Sequence, residues 1–202
     1  MRQVWPQGYY WDDMNAKISV WWALCGGVAL VAVQAIALYF MGQPSICECG
    51  FVKVWEGLVL SPGNSQHLSD WYTFSHILHG LLFYVGLWFL FPRLSVWARL
   101  LLALGIEIAW EILENTPMVI DHYRQQALAQ GYTGDSVLNS VSDTIAMVVG
   151  FLLAWRLSVW TVVIIGLVLE LFVLYVIRDN LTLNILNLIH QFDFISALQA
   201  DS

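Results

Sequence analysis

The chain has 202 residues, of which 59% are hydrophobic and only 11% charged, with a mean hydropathy of +0.66. An ordinary soluble domain carries about 25% charged residues, so a single water-soluble domain of this length would lack the polar surface to cover itself. Fifteen acids against eight bases give a net charge of −7 and leave no basic stripe to neutralise phosphates, which argues against nucleic acid as a partner.

Five apolar runs predict an all-α integral membrane bundle, folded as one domain over residues 1–202, with about five transmembrane helices. The first spans 18–41 and carries no charge between Lys17 and Glu48. It is too long for the apolar core of a signal peptide and long enough for about 30 Å of hydrocarbon. The second, 71–91, is interrupted by Ser75, His76 and His79, and Pro92-Arg93 ends it. The third, 96–114, holds Glu107, Glu111 and Glu114 and ends before Asn115-Thr116-Pro117, since proline disfavours helix at its predecessor. The fourth, 136–155, contains Asn139 and Asp143. The fifth, 159–177, contains Glu170 and ends at Arg178. Beyond it, Leu181, Ile185, Leu188, Phe192 and Ile195 recur at helical spacing, which suits an interfacial helix or a short helix packed on the bundle.

Lys and Arg near helix ends set orientation. With the N-terminus inside, the inner side receives Arg2, Lys17, Arg93, Arg99 and Arg156, and the outer side receives Lys53, Arg124 and Arg178. This predicts a cytoplasmic N-terminus, a periplasmic C-terminus, and segments 42–70 and 115–135 outside. Eleven Trp and eight Tyr, several of them flanking the apolar runs, fit the membrane interface.

Function is concentrated in the polar residues inside these runs, because a charge at the centre of a membrane helix costs roughly 2.5–3.5 kcal/mol even on insertion scales. Glu107, Glu111 and Glu114 stand at i, i+4 and i+7, on one helix face, while His76 and His79 are one turn apart. Asp135, Asn139 and Asp143 repeat every fourth residue. At 1.5 Å per residue, Glu111, Glu107, His76, His79, Asp143 and Glu170 all fall roughly 5–12 Å deep from the outer ends of their helices, which predicts one shared outward-facing pocket. Imidazole with carboxylate suits a divalent cation such as Zn, Mn or Fe. His76, His79, Glu107, Glu111 and Asp143 are the candidate ligands, and Glu111, His76 and Asp143 the candidate catalytic groups, with Glu111 or His76 as general base. Glu114 and Asp135 are expected nearer the interface, within reach of solvent. The same residues also permit a proton, ion or solute pathway, or a hydrogen-bond network that only registers the helices.

Other signals are weaker. Gly131-Tyr132-Thr133-Gly134-Asp135-Ser136 reads as a turn feeding an Asp or Ser helix cap, whose free N–H groups would suit a phosphate. Arg124 and His122 offer a small anion site beside Asp121. Cys47 and Cys49 lie in the first outer loop, where an oxidising compartment would permit a disulfide to each other or to a partner.

Trp110-Glu111-Ile112-Leu113-Glu114-Asn115-Thr116-Pro117, with Ile120-Asp121, Tyr123-Arg124, Gly134-Asp135-Ser136-Val137-Leu138-Asn139-Ser140, Asp143 and Ser75-His76-x-x-His79-Gly80, resembles an alphaproteobacterial family of multi-pass inner-membrane proteins of unknown function. A more distant likeness is to VanZ-like membrane proteins, which similarly place acids at helix ends and a Gly-Asp before a final apolar segment. These resemblances imply location more than activity and direct attention to Glu111, Glu114, Asp135, Asn139 and Asp143. The residues themselves leave three classes open: action on a lipid or cell-envelope substrate with a divalent metal, a non-enzymatic subunit or assembly factor for a membrane-protein partner, and a small ion or solute transporter.

Overall fold

A computed structural model describes residues 19–200, which contain eight helices: α1 (Val20–Met41), α2 (Thr73–Leu90), α3 (Val96–Glu114), α4 (Pro117–Tyr123), α5 (Val137–Arg156), α6 (Val159–Ile177), α7 (Leu181–Ile189) and α8 (Asp193–Ala200). Ser19, Ser95, Ser136 and Ser158 cap the first, third, fifth and sixth, each hydroxyl accepting a hydrogen bond from a first-turn amide. Pro117 occupies the first turn of α4, where its missing N–H costs nothing.

Four helices, α1, α2, α5 and α6, are long and apolar enough to cross a membrane. The chain is therefore a multi-pass membrane protein. The third expected span matches in length but carries Arg99, Glu107, Glu111 and Glu114, and stands apart from the apolar four. Its two central carboxylates are compensated by neighbouring helices rather than by lipid. Helices α1 and α6 turn most of their apolar surface outward, including Val28, Ile36 and Phe40 on the first and Trp160, Ile164, Leu167 and Leu171 on the other. Hydrocarbon receives such faces without the cost water would impose.

Helices α2 and α5 form the closest pair. A Cβ on Gly80 would lie 2.0 Å from the Met147 carbonyl oxygen, and one on Gly150 would lie 2.0 Å from that of Ile77. Only two glycines facing each other permit that approach, the small-residue packing by which membrane helices associate. Below this crossing lies a dry core of Leu78, Leu81, Tyr84, Leu104, Met147 and Phe151, with the Tyr84 and Phe151 rings edge to face at 5.2 Å. Above it, toward the start of α2 and of α5, the interior becomes polar.

That polar end is covered by segment 42–72, which docks onto the start of α5. Amides of Ser136, Val137 and Leu138 donate to the carbonyls of Ser65, Pro44 and Ser45, and Asn139 Nδ2 donates to His67 O at 2.9 Å. The α5 N-terminus is thus closed by protein carbonyls and by the Ser136 hydroxyl, which corrects the expectation of free N–H groups for a phosphate. Gly134 sits with φ +94°, and a Cβ there would meet Gln43 Nε2 at 2.4 Å, so glycine is required both by conformation and by space.

The tail folds as two short helices broken at His190–Phe192 instead of one. Glu170, expected in the shared pocket, accepts from the Leu181 and Thr182 amides at 3.0 and 3.2 Å and so caps the start of α7. Its role is to bend the chain back over the bundle. Arg124 donates to Tyr132 O at 2.7 Å and approaches Asp121 at 3.4 Å, while His122 Nε2 meets Asn187 O at 2.9 Å. Both basic groups are committed to holding α4 and the tail, not to an anion.

Candidate functional site

The i, i+3 spacing of His76 and His79 places both rings on the face of α2 opposite α3, and the i, i+4 spacing of Glu107 and Glu111 aims both carboxylates back at them. His76 Nδ1 lies 2.6 Å from Glu107 Oε1, and His79 Nδ1 lies 3.0 Å from Glu107 Oε2. One carboxylate therefore bridges two imidazoles. Glu111 Oε1 is 3.4 Å from His76 Nδ1, and Asp143 Oδ2 is 3.9 Å from His76 Nε2. All five expected ligands meet around His76. Glu107 is 0% and Glu111 1% exposed.

Further polar groups fix these acids. Ser140 donates to Glu111 Oε2 at 2.6 Å and accepts from Gln34 Nε2 at 2.7 Å, while Thr144 donates to Gln34 Oε1 at 2.9 Å. Asp143 accepts from Thr73 at 2.9 Å, and Thr73 in turn accepts from the Asp70 amide at 3.1 Å. Glu111 Oε1 is left without a hydrogen-bond partner, facing His76 at ion-pair distance. The sequence reading missed Gln34, Thr73 and Ser140 as members of this network. Gln34 alone had a readable signal, as an amide in an otherwise apolar run.

A second group of acids lies closer to the covering segments. Oxygens of Glu111, Glu114 and Asp135 lie within 4.8 Å of one another. Asp135 is buried, contrary to the expected solvent contact, because Asn115 Nδ2 and the Tyr132 hydroxyl donate to it at 2.8 and 2.9 Å, and its own amide donates to Asn115 Oδ1 at 2.7 Å. Burial raises its carboxyl to about 6, against the opposing pull of those donors. Asp70, held by the Ser65 and Tyr72 amides, is likewise raised by burial.

These groups border a cavity of about 220 Å³. His76, His79, Glu114, Asp135 and Asp143 form its polar wall, while Leu60, Leu128, Leu181, Ile185 and Leu188 supply apolar surface. Glu107 and Glu111 stand behind that lining, bonded to His76 and Ser140. The tail, read from sequence as interfacial or packed, contributes α7 to the cavity lining.

Ligand-bearing atoms of His76, His79 and Glu107 converge within 4.8 Å, a cluster able to hold a divalent metal ion, as do Cys47, Cys49 and His67 in the covering segment. In the latter group Cys47 and Cys49 are joined as a disulfide, which occupies both sulfurs. Of these two clusters, that of His76 borders the cavity.

Fold and site together define a multi-pass helical membrane protein with a buried histidine–carboxylate cluster at the edge of an amphipathic cavity. Within that class, residues 38–201 match the model of a family of proteins of unknown function, DUF2585, and the chain belongs to that family. It is 55% identical over 190 residues to a UPF0314 protein of Rhizobium meliloti (strain 1021), covering 94% of this chain and 95% of that one. It is similar at 56% over 191 residues to a UPF0314 protein of Sinorhizobium fredii, covering 93% and 95%. A UPF0314 protein of Sphingopyxis alaskensis is 54% identical over 172 residues, covering 85% and 92%. No solved structure matches the chain.

Proposed function

We propose that this protein binds an amphiphilic cell-envelope molecule at the outer edge of the inner membrane and acts on its polar part through His76. The observation that carries this reading is the cavity itself, lined both by imidazoles and carboxylates and by leucines. A lipid-like molecule matches both kinds of lining at once, whereas a small water-soluble ion would have no use for the apolar part.

In this reading the chain is a single domain in which α3 also crosses the bilayer, giving five spans. With the N-terminus in the cytoplasm, segment 42–72, α4, α7 and α8 then lie on the periplasmic side with the cavity. The excess of Lys and Arg on the opposite side and the Cys47–Cys49 disulfide support that orientation. The distant VanZ likeness adds the same acids as those of greatest interest and nothing about the reaction.

Chemically, Glu107 sits at Nδ1 of both histidines and fixes the rings, so that His76 Nε2 is the atom available for proton transfer beside Asp143. A divalent ion held by the His76, His79 and Glu107 cluster would take His76 as a ligand in place of that proton-transfer role, and would polarise an oxygen of the bound molecule instead. In the network Gln34–Ser140–Glu111, Gln34 bonds through both its nitrogen and its oxygen and registers α1 against α5, so that part of the polar set is read as structural.

The test is lipid extraction and mass spectrometry of the purified chain, beside a Leu188→Trp variant that fills the cavity. The expected result is an amphiphile retained by the wild type and lost from the variant, and turned over by wild type but not by His76→Ala. Equal lipid content in both proteins would overturn the reading. Elemental analysis after anaerobic purification tests the metal: substoichiometric metal, unchanged in His76→Ala, Glu111→Ala, would remove it from the mechanism.

A further inference from the structure

Resting on the amphiphile-binding reading, the chemistry of the cavity also narrows the head group that fits. Three carboxylates, Glu114, Asp135 and Asp143, line it, and no lysine or arginine is present among the described residues that do. Oxygens of Glu111, Glu114 and Asp135 crowd within 4.8 Å, an arrangement that a cation relieves. Aromatic rings also line the cavity. Tyr72, Trp110, Tyr123 and Tyr132 all border the cavity, and the Tyr123 and Tyr132 rings meet at 5.6 Å and 65°. Electron-rich ring faces beside carboxylates are the surroundings that recognise ammonium groups.

A bare metal ion explains this outer end less well. Both oxygens of Asp135 are already engaged, one by Asn115 and one by Tyr132. Hard cations such as Ca²⁺ or Mg²⁺ take six or more oxygen ligands at close range, and ring faces and leucine side chains offer none.

A separate observation points to a ligand with an acceptor beside the cation. Gln126 borders the cavity and is 5% exposed, yet its Nε2 has no hydrogen-bond partner. An unpaired buried donor costs about 1–3 kcal/mol. An ester or phosphoryl oxygen a few bonds from an ammonium would satisfy it, while the attached chain would run along Leu181, Ile185 and Leu188.

We infer that the cavity selects amphiphiles whose head carries an ammonium group, bound between the aromatic rings and the Glu114–Asp135 carboxylates with Gln126 donating to a neighbouring oxygen. This head group is the class of substrate on which His76 would act.

The test uses the whole chain in dodecyl maltoside micelles and three photoactivatable dodecyl probes bearing trimethylammonium, sulfate or maltose heads. Mass spectrometry reads labelling of the peptides around 123–132 and 181–188. The expected result is that the trimethylammonium probe labels them at concentrations at least tenfold below the other two. Glu114→Gln should erase that advantage while leaving maltose-probe labelling intact, and Asp135→Asn provides the same readout if the first variant does not fold. Equal labelling by all three would overturn the ammonium preference while leaving amphiphile binding standing. Strongest labelling by the sulfate probe, or displacement of the ammonium probe by millimolar Mg²⁺ at constant ionic strength, would also overturn it. Absence of cavity labelling by every probe would sink the amphiphile reading as well.

Discussion

Glu107 and His76 are joined at 2.6 Å, and the same carboxylate reaches His79 at 3.0 Å, so two rings on α2 take their orientation from one fully buried acid on α3. A carboxylate that accepts Nδ1–H leaves Nε2 as the basic nitrogen, the arrangement by which outer groups orient imidazole in catalytic and metal sites. Removing the acid should therefore disturb both rings together.

Glu107→Gln keeps the side chain's shape but removes the charge between the imidazoles. We expect a divalent ion bound by this cluster to lose about 10–100-fold in affinity, the usual effect of losing an orienting partner. Equilibrium dialysis with radioactive zinc or manganese measures it. Unchanged affinity would show that Glu107 neither ligates nor orients.

The glycine crossing predicts a sharp positional contrast. Gly80→Ala forces α2 and α5 apart, because its Cβ would fall 2.0 Å from backbone oxygen, whereas Gly86 has nothing within 4 Å. Overpacking typically costs about 1–3 kcal/mol, and more against backbone that cannot yield. Thermal unfolding in detergent should show a large loss for Gly80→Ala and no loss for Gly86→Ala.

Gln34 ties α1 to α5 through Ser140 and Thr144. Gln34→Leu leaves two buried hydroxyls short of a partner, and we expect a cost of about 1–3 kcal/mol. A double-mutant cycle with Ser140→Ala should reveal coupling between the two positions, since they share one hydrogen bond. Strict additivity would argue against the network.

Asp179 gives the pH signature. It accepts from the Asn180 amide, Tyr72 and Asn184, yet burial raises its carboxyl from 3.8 to about 7. The folded state then holds a proton that the unfolded state releases, so the contribution to stability is full below about pH 4 and is lost as pH rises toward 7. Asp179→Asn should flatten this dependence, raising the unfolding midpoint at pH 8 relative to wild type and changing little at pH 4. Parallel pH profiles for the two proteins would count against it.

Orientation can be read from fusions. Alkaline phosphatase joined after Gly50 should be active and one joined after Arg93 inactive, if the cavity faces the periplasm. The opposite pattern would place the cavity on the cytoplasmic side.

Sequence by itself determined the membrane character, the positions of the five long helices and the residues of the histidine–carboxylate set, because those follow from unbroken apolar length and from the 3.6-residue period. His76, His79, Glu107, Glu111 and Asp143 could be named since ionisable groups stand out against hydrocarbon-like surroundings. Their pairing could not. Spacing along one helix says which side chains share a face, but not which face meets it; that was decided by the packing of α2 against α5 at Gly80 and Gly150 and against α3 at Glu107. Glu170 shows the same limit: its depth matched the pocket, yet the turn after α6 delivers the first amides of α7 to its carboxylate. Segment 42–72 reads as a plain loop because its bonds to α5 join residues about 70 positions apart in sequence. Only the tertiary structure brings such partners together, and with them the cavity they close.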